Sequence, residues 1–256
     1  MKYLRTLTLM LLAIGTLTLA GESIHQKVDA SRNGKVEIDN LVGSVHVTGW
    51  DRDEVEITGI LGKGVERLDV QESGDRVIIK VVLPRGRNHN VEDTELKIRV
   101  PRGSSVKVST VSASIDVTDV DGALELSSVS GAVHVQGEPE YMEIDNVSGS
   151  ITLDARLERG EFNTVSGRIE ATLDLTSSSR VEFDSVSGSI KLIVPRGLDA
   201  DFDISTFSGL INCDFGPSPE KTSRYTPGME LSFSTGSGGA RISANSFSGE
   251  VTIEED

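Results

Sequence analysis

Apolar and polar residues alternate in short arms along most of this chain, and the arms meet at a phrase that returns eight times. The phrase is an apolar residue, a small or aliphatic residue, Gly or its stand-in, any residue, then an aliphatic. The copies are centred on Gly43, Ala113, Gly131, Gly149, Gly167, Gly188, Gly209 and Gly249; typical ones read Val129-Ser130-Gly131-Ala132-Val133 and Val147-Ser148-Gly149-Ser150-Ile151. From Ala113 to Gly209 the centres lie 18, 18, 18, 21 and 21 residues apart. A period near 20 residues marks a solenoid in which each repeat is one coil stacked on the last.

Counted from the central Gly, apolar residues recur at −7, −5, −2, +2 and +4, as in Leu124, Leu126, Val129, Val133 and Val135 or Met142, Ile144, Val147, Ile151 and Leu153. Alternation on both arms predicts two strands per coil, each with one face inward, joined at a corner. Helical repeats are excluded, because no stretch beyond residue 20 keeps a 3.6 period. The predicted fold is all-β, a parallel β-solenoid of short strands with 18–21 residues per coil, right-handed winding favoured. Gly is expected to turn the corner through positive φ, and the preceding Ser to bond neighbouring backbone. The pattern places the −2 valines inward, so Val147→Asp is expected to unfold neighbouring coils.

Stacked coils align Ser112, Ser130, Ser148, Ser166, Ser187, Ser208 and Ser248 in a column at about 4.8 Å per step. A nucleophilic serine needs a base within reach and an oxyanion hole, and neither repeats with the serines. The histidines are His25, His46, His89 and His134. His46 and His134 both fall at +3, but in coils roughly 90 residues apart, and are not expected to be neighbours.

The predicted organisation is a signal peptide over 1–20 and a single solenoid domain over 21–256. Within the domain, 34–105 form irregular, wider N-terminal coils, 106–215 the regular repeats, 216–228 an inserted loop and 229–256 a C-terminal coil. Lys2 and Arg5 precede an apolar run over 6–19 that ends in Thr18-Leu19-Ala20, a secretory pattern too short for a comfortable span. Export to the periplasm, cell surface or medium follows, with no transmembrane span after cleavage; an uncleaved N-terminal anchor is the alternative. The loops at 85–93 and at 216–228, the latter with Pro217, Pro219, Lys221, Arg224, Tyr225 and Pro227, are candidate contact sites.

The net charge of −15, which becomes −17 without Lys2 and Arg5, disfavours nucleic acid and anionic lipid as partners. The lone Cys213 forms no internal disulfide, and its +4 position predicts a buried, inert thiol.

The stretches Val36-Glu37-Ile38-Asp39-Asn40, Val47-Thr48-Gly49-Trp50-Asp51 and Ile98-Arg99-Val100-Pro101-Arg102-Gly103, the serial Val-Ser-Gly corners, and Gly236-Ser237-Gly238-Gly239-Ala240-Arg241-Ile242 before Ser248-Gly249-Glu250-Val251 carry a resemblance. The chain resembles the bacterial "putative adhesin" family of unknown function over nearly all of its length beyond residue 20. The resemblance implies a β-solenoid on or outside the cell membrane, with a link to envelope stress in some relatives. It brings no catalytic residues. Ala113 departs from the pattern, which expects Gly.

Outward chemistry is acidic. The −6 positions hold Glu125, Glu143, Glu161, Glu182 and Asp203, and Asp145 and Asp184 lie at −4. Coils stacked in sequence order would make these a ribbon roughly 20 Å long that attracts cations: Ca²⁺, a basic peptide or a basic patch on a partner. No cofactor and no metal site is assigned, because the glycine-paired calcium nonapeptide is absent; a solvated face that keeps the coil soluble is the plain alternative. The expected partner is an unknown envelope protein, a basic peptide or a surface glycan. The rival class is a β-helix enzyme acting on polysaccharide, which would need an aromatic-lined groove. Aromatics are only 4% of the chain, and Phe162, Phe183, Phe202, Phe207, Phe233 and Phe247 mostly fall on positions read as inward. Glu254-Glu255-Asp256 at one end and 22–33 at the other are expected to guard the open strand edges, giving a monomer rather than a filament.

Overall fold

The computed structural model describes residues 21–85, 91–223 and 227–256. The predicted signal peptide, His89, Arg224 and Tyr225 lie outside these residues. Each corner joins two short strands. In the coil of Gly149, Met142–Asn146 leads in and Ile151–Arg156 leads out. The lead-in strands belong to a 12-stranded sheet and the lead-out strands to an 11-stranded one, with neighbouring repeats paired in parallel. Leu124 pairs with Met142, Met142 with Gly160, and Gly160 with Val181, reproducing the spacing read from the sequence.

Parallel register stacks each inward position on its equivalents. Leu126, Ile144, Phe162 and Phe183 form one such column, each almost wholly buried. The rings of Phe162 and Phe183 stack with centroids 4.8 Å apart, and the next step is the small Ala244, also fully buried. Burying a side chain of the Leu or Phe class contributes about 1.5–3 kcal/mol, so the continuous column is the main source of cohesion in a chain without disulfides.

The stacking order departs from sequence order at both ends. Ala240–Ser246 lies between Arg180–Ser185 and Ala200–Thr206, and Val251–Glu255 lies between Ile190–Val194 and Ile211–Cys213. The last coil in sequence is therefore inserted between the coils of Gly188 and Gly209. Met229–Thr235, antiparallel to Ala200–Thr206, and the two-residue strand Glu220–Lys221 close that end. Glu254-Glu255-Asp256 consequently does not guard an edge. Glu254 pairs with Lys191 at 2.9 Å, and the Asp256 amide donates to the Val194 carbonyl at 2.9 Å.

At the other end, Lys35–Asn40 and Gly43–Trp50 pair on one side with Ser105–Thr110 and Ser114–Thr118, and on the other with Arg76–Val82 and Thr94–Pro101. The described residues between 51 and 104 thus double back outside the first coil instead of continuing it. Glu54–Leu61 and Arg67–Ser73 run antiparallel there, and Glu22–Asp29 forms the outer edge of the 11-stranded sheet. Lys27 pins that edge strand to Glu54 at 3.2 Å and Glu56 at 3.1 Å. The same reversal places His46 and His134 on the strands either side of Asp116, with His46 Nδ1 3.3 Å from its carboxylate, so the two histidines share a flanking residue without being direct neighbours.

Corner glycines are required for a reason other than φ. Among the corners only Gly43 has positive φ, at 108°. A Cβ on Gly149 would lie 2.0 Å from the Gly131 carbonyl oxygen, and one on Gly188 would lie 1.7 Å from that of Gly167. Successive corners approach too closely for any side chain. Ala113, fully buried, belongs to the coil stacked on that of Gly43, the one corner whose backbone differs.

Candidate functional site

The lead-in strand alternates inward at −7, −5 and −3, so −3 is a buried position even though it is polar. Thr110, Ser128, Asn146, Thr164, Ser185, Thr206 and Ser246 occupy it. Their side chains turn the chain: the Gly131 amide donates to Ser128 Oγ at 2.9 Å, Gly167 to Thr164 Oγ1 at 2.9 Å and Gly249 to Ser246 Oγ at 2.7 Å. Short hydroxyl and amide side chains suit this three-residue local bond.

Parity then carries the −2 residue outward. Val111, Val129, Val147, Val165, Val186, Phe247 and Phe207 follow one another up the stack, exposed by 41% to 57%. This corrects the inward placement expected from the motif, and with it the expectation that Val147→Asp unfolds the coils. Phe207 and Phe247 are also corrected from inward to outward; their rings stack at 4.9 Å, within 9° of parallel. A contiguous exposed row of this kind is unusual on a folded surface and makes this face the candidate interaction surface.

Two polar columns flank the row. On one side the corner serines from Ser130 onward bond the carbonyl one coil away, as Ser148 Oγ to Val129 at 3.1 Å and Ser166 Oγ to Val147 at 3.3 Å. On the other side stand the −4 residues: Asn163 donates to Asp145 at 3.0 Å, Asn245 to Asp184 at 3.1 Å, and Ser205 to Asn245 at 2.8 Å. Row and −4 column line an open groove of about 760 Å³ that runs from Thr110 to Phe207.

The acidic ribbon borders this groove. Glu125, Glu143, Glu161 and Glu182 stand in register on adjacent strands. Asp203 does not continue them, because Ser243 of the inserted coil intervenes. Asp145 and Asp184 are likewise separated by Asn163. Lys107 ends the ribbon at 2.8 Å from Glu125, a bond that raises the lysine pKa. The Tyr141 phenol, hydrogen-bonded to Glu143 at 3.3 Å, is pushed up to about 12, first by burial and then by the charges of Glu143, Glu161 and Glu125. Among the described residues no group of three or more His, Cys, Asp and Glu side chains is placed to hold a metal ion.

The family model described as Toastrack DUF4097 matches residues 33–254. The chain belongs to the Toastrack DUF4097 family. Among curated proteins none matches. Solved structures are similar over most of the chain. A putative lipid binding protein from Parabacteroides distasonis is 17% identical with a TM-score of 0.50, 91% of this chain and 97% of that chain being covered. A putative adhesin from Bacteroides fragilis is 13% identical with a TM-score of 0.43, covering 92% and 97%. A putative adhesin from Parabacteroides merdae is 11% identical with a TM-score of 0.41, covering 91% and 96%. Of these, the Parabacteroides distasonis structure, at a TM-score of 0.50, carries the fold and nothing finer.

In this Toastrack chain the other candidates of the sequence are dispersed. Cys213 is half-buried, packed beside the core rather than fully inside it. Trp50 lies at the far end among Arg52, Arg99 and Lys27, whose cationic groups are 4.9, 5.6 and 5.9 Å from the ring centroid. No helix among the described residues is long and apolar enough to cross a membrane.

Proposed function

We propose that this Toastrack chain is a non-enzymatic binding protein, exported to the cell envelope, that engages a basic partner through the lateral groove and the acidic ribbon beside it. The observation that carries this reading is the row of seven exposed apolar side chains in register, bordered on one side by carboxylates. Apolar contact supplies affinity, and the carboxylates select a cationic partner and speed its approach. The basic start and apolar run over 2–19 support export, and an adhesin-like or envelope-stress role is in keeping with the family resemblance.

The test is capture from envelope extract by the purified chain at low and high salt. Wild type should retain a salt-sensitive partner that Glu143→Gln/Glu161→Gln/Glu182→Gln and Val147→Ser/Val165→Ser/Val186→Ser both release. Equal retention by all three chains would overturn the reading.

A further inference from the structure

The groove has a periodicity of its own, and that periodicity constrains what can lie in it. Its knobs are the −2 side chains of successive coils, repeated at the strand spacing of about 4.8 Å. Six steps separate Val111 from Phe207 by way of Val129, Val147, Val165, Val186 and Phe247, a row about 29 Å long. A peptide running along this row crosses the strands at right angles, so its own repeat must match the coil repeat rather than the residue repeat of a strand.

An extended peptide presents one face every second residue, at about 6.7 Å, and loses register with the knobs within two steps. An α-helix presents one apolar stripe with a rise of about 5.4 Å per turn, and from Val129 to Val186 it drifts by only about 2 Å, under half a knob spacing. About 20 helical residues span the whole row. The knobs suit such a stripe: valines present compact methyl pairs, and Phe247 with Phe207 forms a wider stacked platform at one end. The helix-in-groove mode of recognition uses this kind of repeated apolar anchor.

Charge selects among possible occupants. A second copy of the chain would bring its own ribbon of Glu143, Glu161 and Glu182 against the first, in a chain of net charge −15. An acyl chain would lie in a trough open to water along its length, and an anionic lipid surface would meet the same carboxylates. A helix with lysine or arginine beside its apolar stripe answers both features at once. Its cations would reach the −4 and −6 columns while its other flank met the uncharged serines.

We propose that the groove is a docking track for an amphipathic α-helix of about 20 residues with a basic flank. This deepens the binding role proposed above and rests on it. The helix lies parallel to the stacking axis, its apolar stripe on Val129, Val147, Val165 and Val186 and its basic flank over Asp145, Asp184 and the glutamate column.

The test uses two fluorescein-labelled 20-residue peptides of identical Leu and Lys composition, one patterned at the helical period and one shuffled to break it, titrated onto the full chain at low salt. Fluorescence anisotropy should show the patterned peptide binding at least about tenfold more tightly than the shuffled one. Val147→Ser/Val165→Ser/Val186→Ser and Glu143→Gln/Glu161→Gln/Glu182→Gln should each weaken it about tenfold or more, with unchanged circular dichroism. Equal binding of both peptides overturns the helix and leaves the basic-partner reading standing, whereas binding of neither overturns both. Patterned binding that survives the valine changes moves the seat off the groove and overturns the proposal. A dimer of the free chain, or binding to phosphatidylcholine vesicles, that the valine changes abolish would assign the groove to a second copy or to lipid and likewise overturn it.

Discussion

Gly149→Ala adds a single methyl group at a corner whose φ any residue can adopt, so its effect isolates the approach of neighbouring coils. The new Cβ would stand 2.0 Å from the Gly131 oxygen, 2.6 Å from its carbonyl carbon and 2.8 Å from Asn146 Nδ2. Restoring ordinary contact requires the two corners to part by about 1 Å, and the atoms that must yield are backbone. The corner is tied on both sides, by the Ser148 amide to the Val129 carbonyl at 3.0 Å and the Ser166 amide to the Val147 carbonyl at 2.9 Å. Overpacking costs about 1–3 kcal/mol, and one weakened backbone bond adds about 1 kcal/mol. Gly149→Ala should therefore destabilise the chain by about 2–4 kcal/mol, read as a lower urea midpoint. Ala113→Gly is the matched control, since the chain already accommodates a methyl at that corner; it should cost no more than about 1 kcal/mol, from added backbone freedom. If Gly149→Ala is as harmless as Ala113→Gly, close approach is not what demands glycine.

Val147→Asp should change stability by no more than about 0.5 kcal/mol in urea unfolding, because the side chain is on the surface, whereas Ile144→Asp, at the buried −5 position of the same coil, should prevent folding. Thr164→Val keeps the shape of a buried side chain but leaves the Gly167 amide without its acceptor, and should cost about 1–3 kcal/mol in the same assay. The bond from Lys27 holds Glu54 and Glu56 below the usual 4.5, and the same bonds raise Lys27 above 10.5. The carboxylate contribution is complete above 4.5 and is lost as pH falls through the lowered values; that of Lys27 is complete below 10.5 and is lost as pH rises through the raised one. The edge strand Glu22–Asp29 should hold best between about pH 5 and pH 10, followed by fluorescence of the single Trp50, and Glu56→Gln should weaken the acid limb.

The fold was legible because each coil repeats one inward parity, and residues such as Leu126, Ile144 and Phe183 occupy it without exception. The groove was hidden by reading hydrophobicity as burial. At −2 the valine looks like core, but the polar residue before it, Asn146 or Thr164, sits on the inward parity set by −7 and −5 and so forces −2 outward. Phe207 and Phe247 at two of those corners were a further sign, since a row of aliphatics and aromatics that breaks parity has no place in the core. The doubled-back ends were illegible for a different reason. Parallel register fixes which residue opposes which, but it does not say which coil neighbours which, and the Gly249 coil fits equally well beside Gly188 or beyond Gly209 by pattern alone. That order decided where Ser243 cuts the ribbon and why Asp116 stands between two histidines far apart in sequence.

The most direct test of the groove as the binding surface is a methyl-resolved NMR titration of the full chain with the patterned Leu/Lys peptide. Shifts confined to the methyls of Val129, Val147, Val165 and Val186, with the buried Val133 and Val135 unmoved, are the predicted result. Shifts clustered instead around the Trp50 end, or spread evenly over buried and exposed valines, would contradict it.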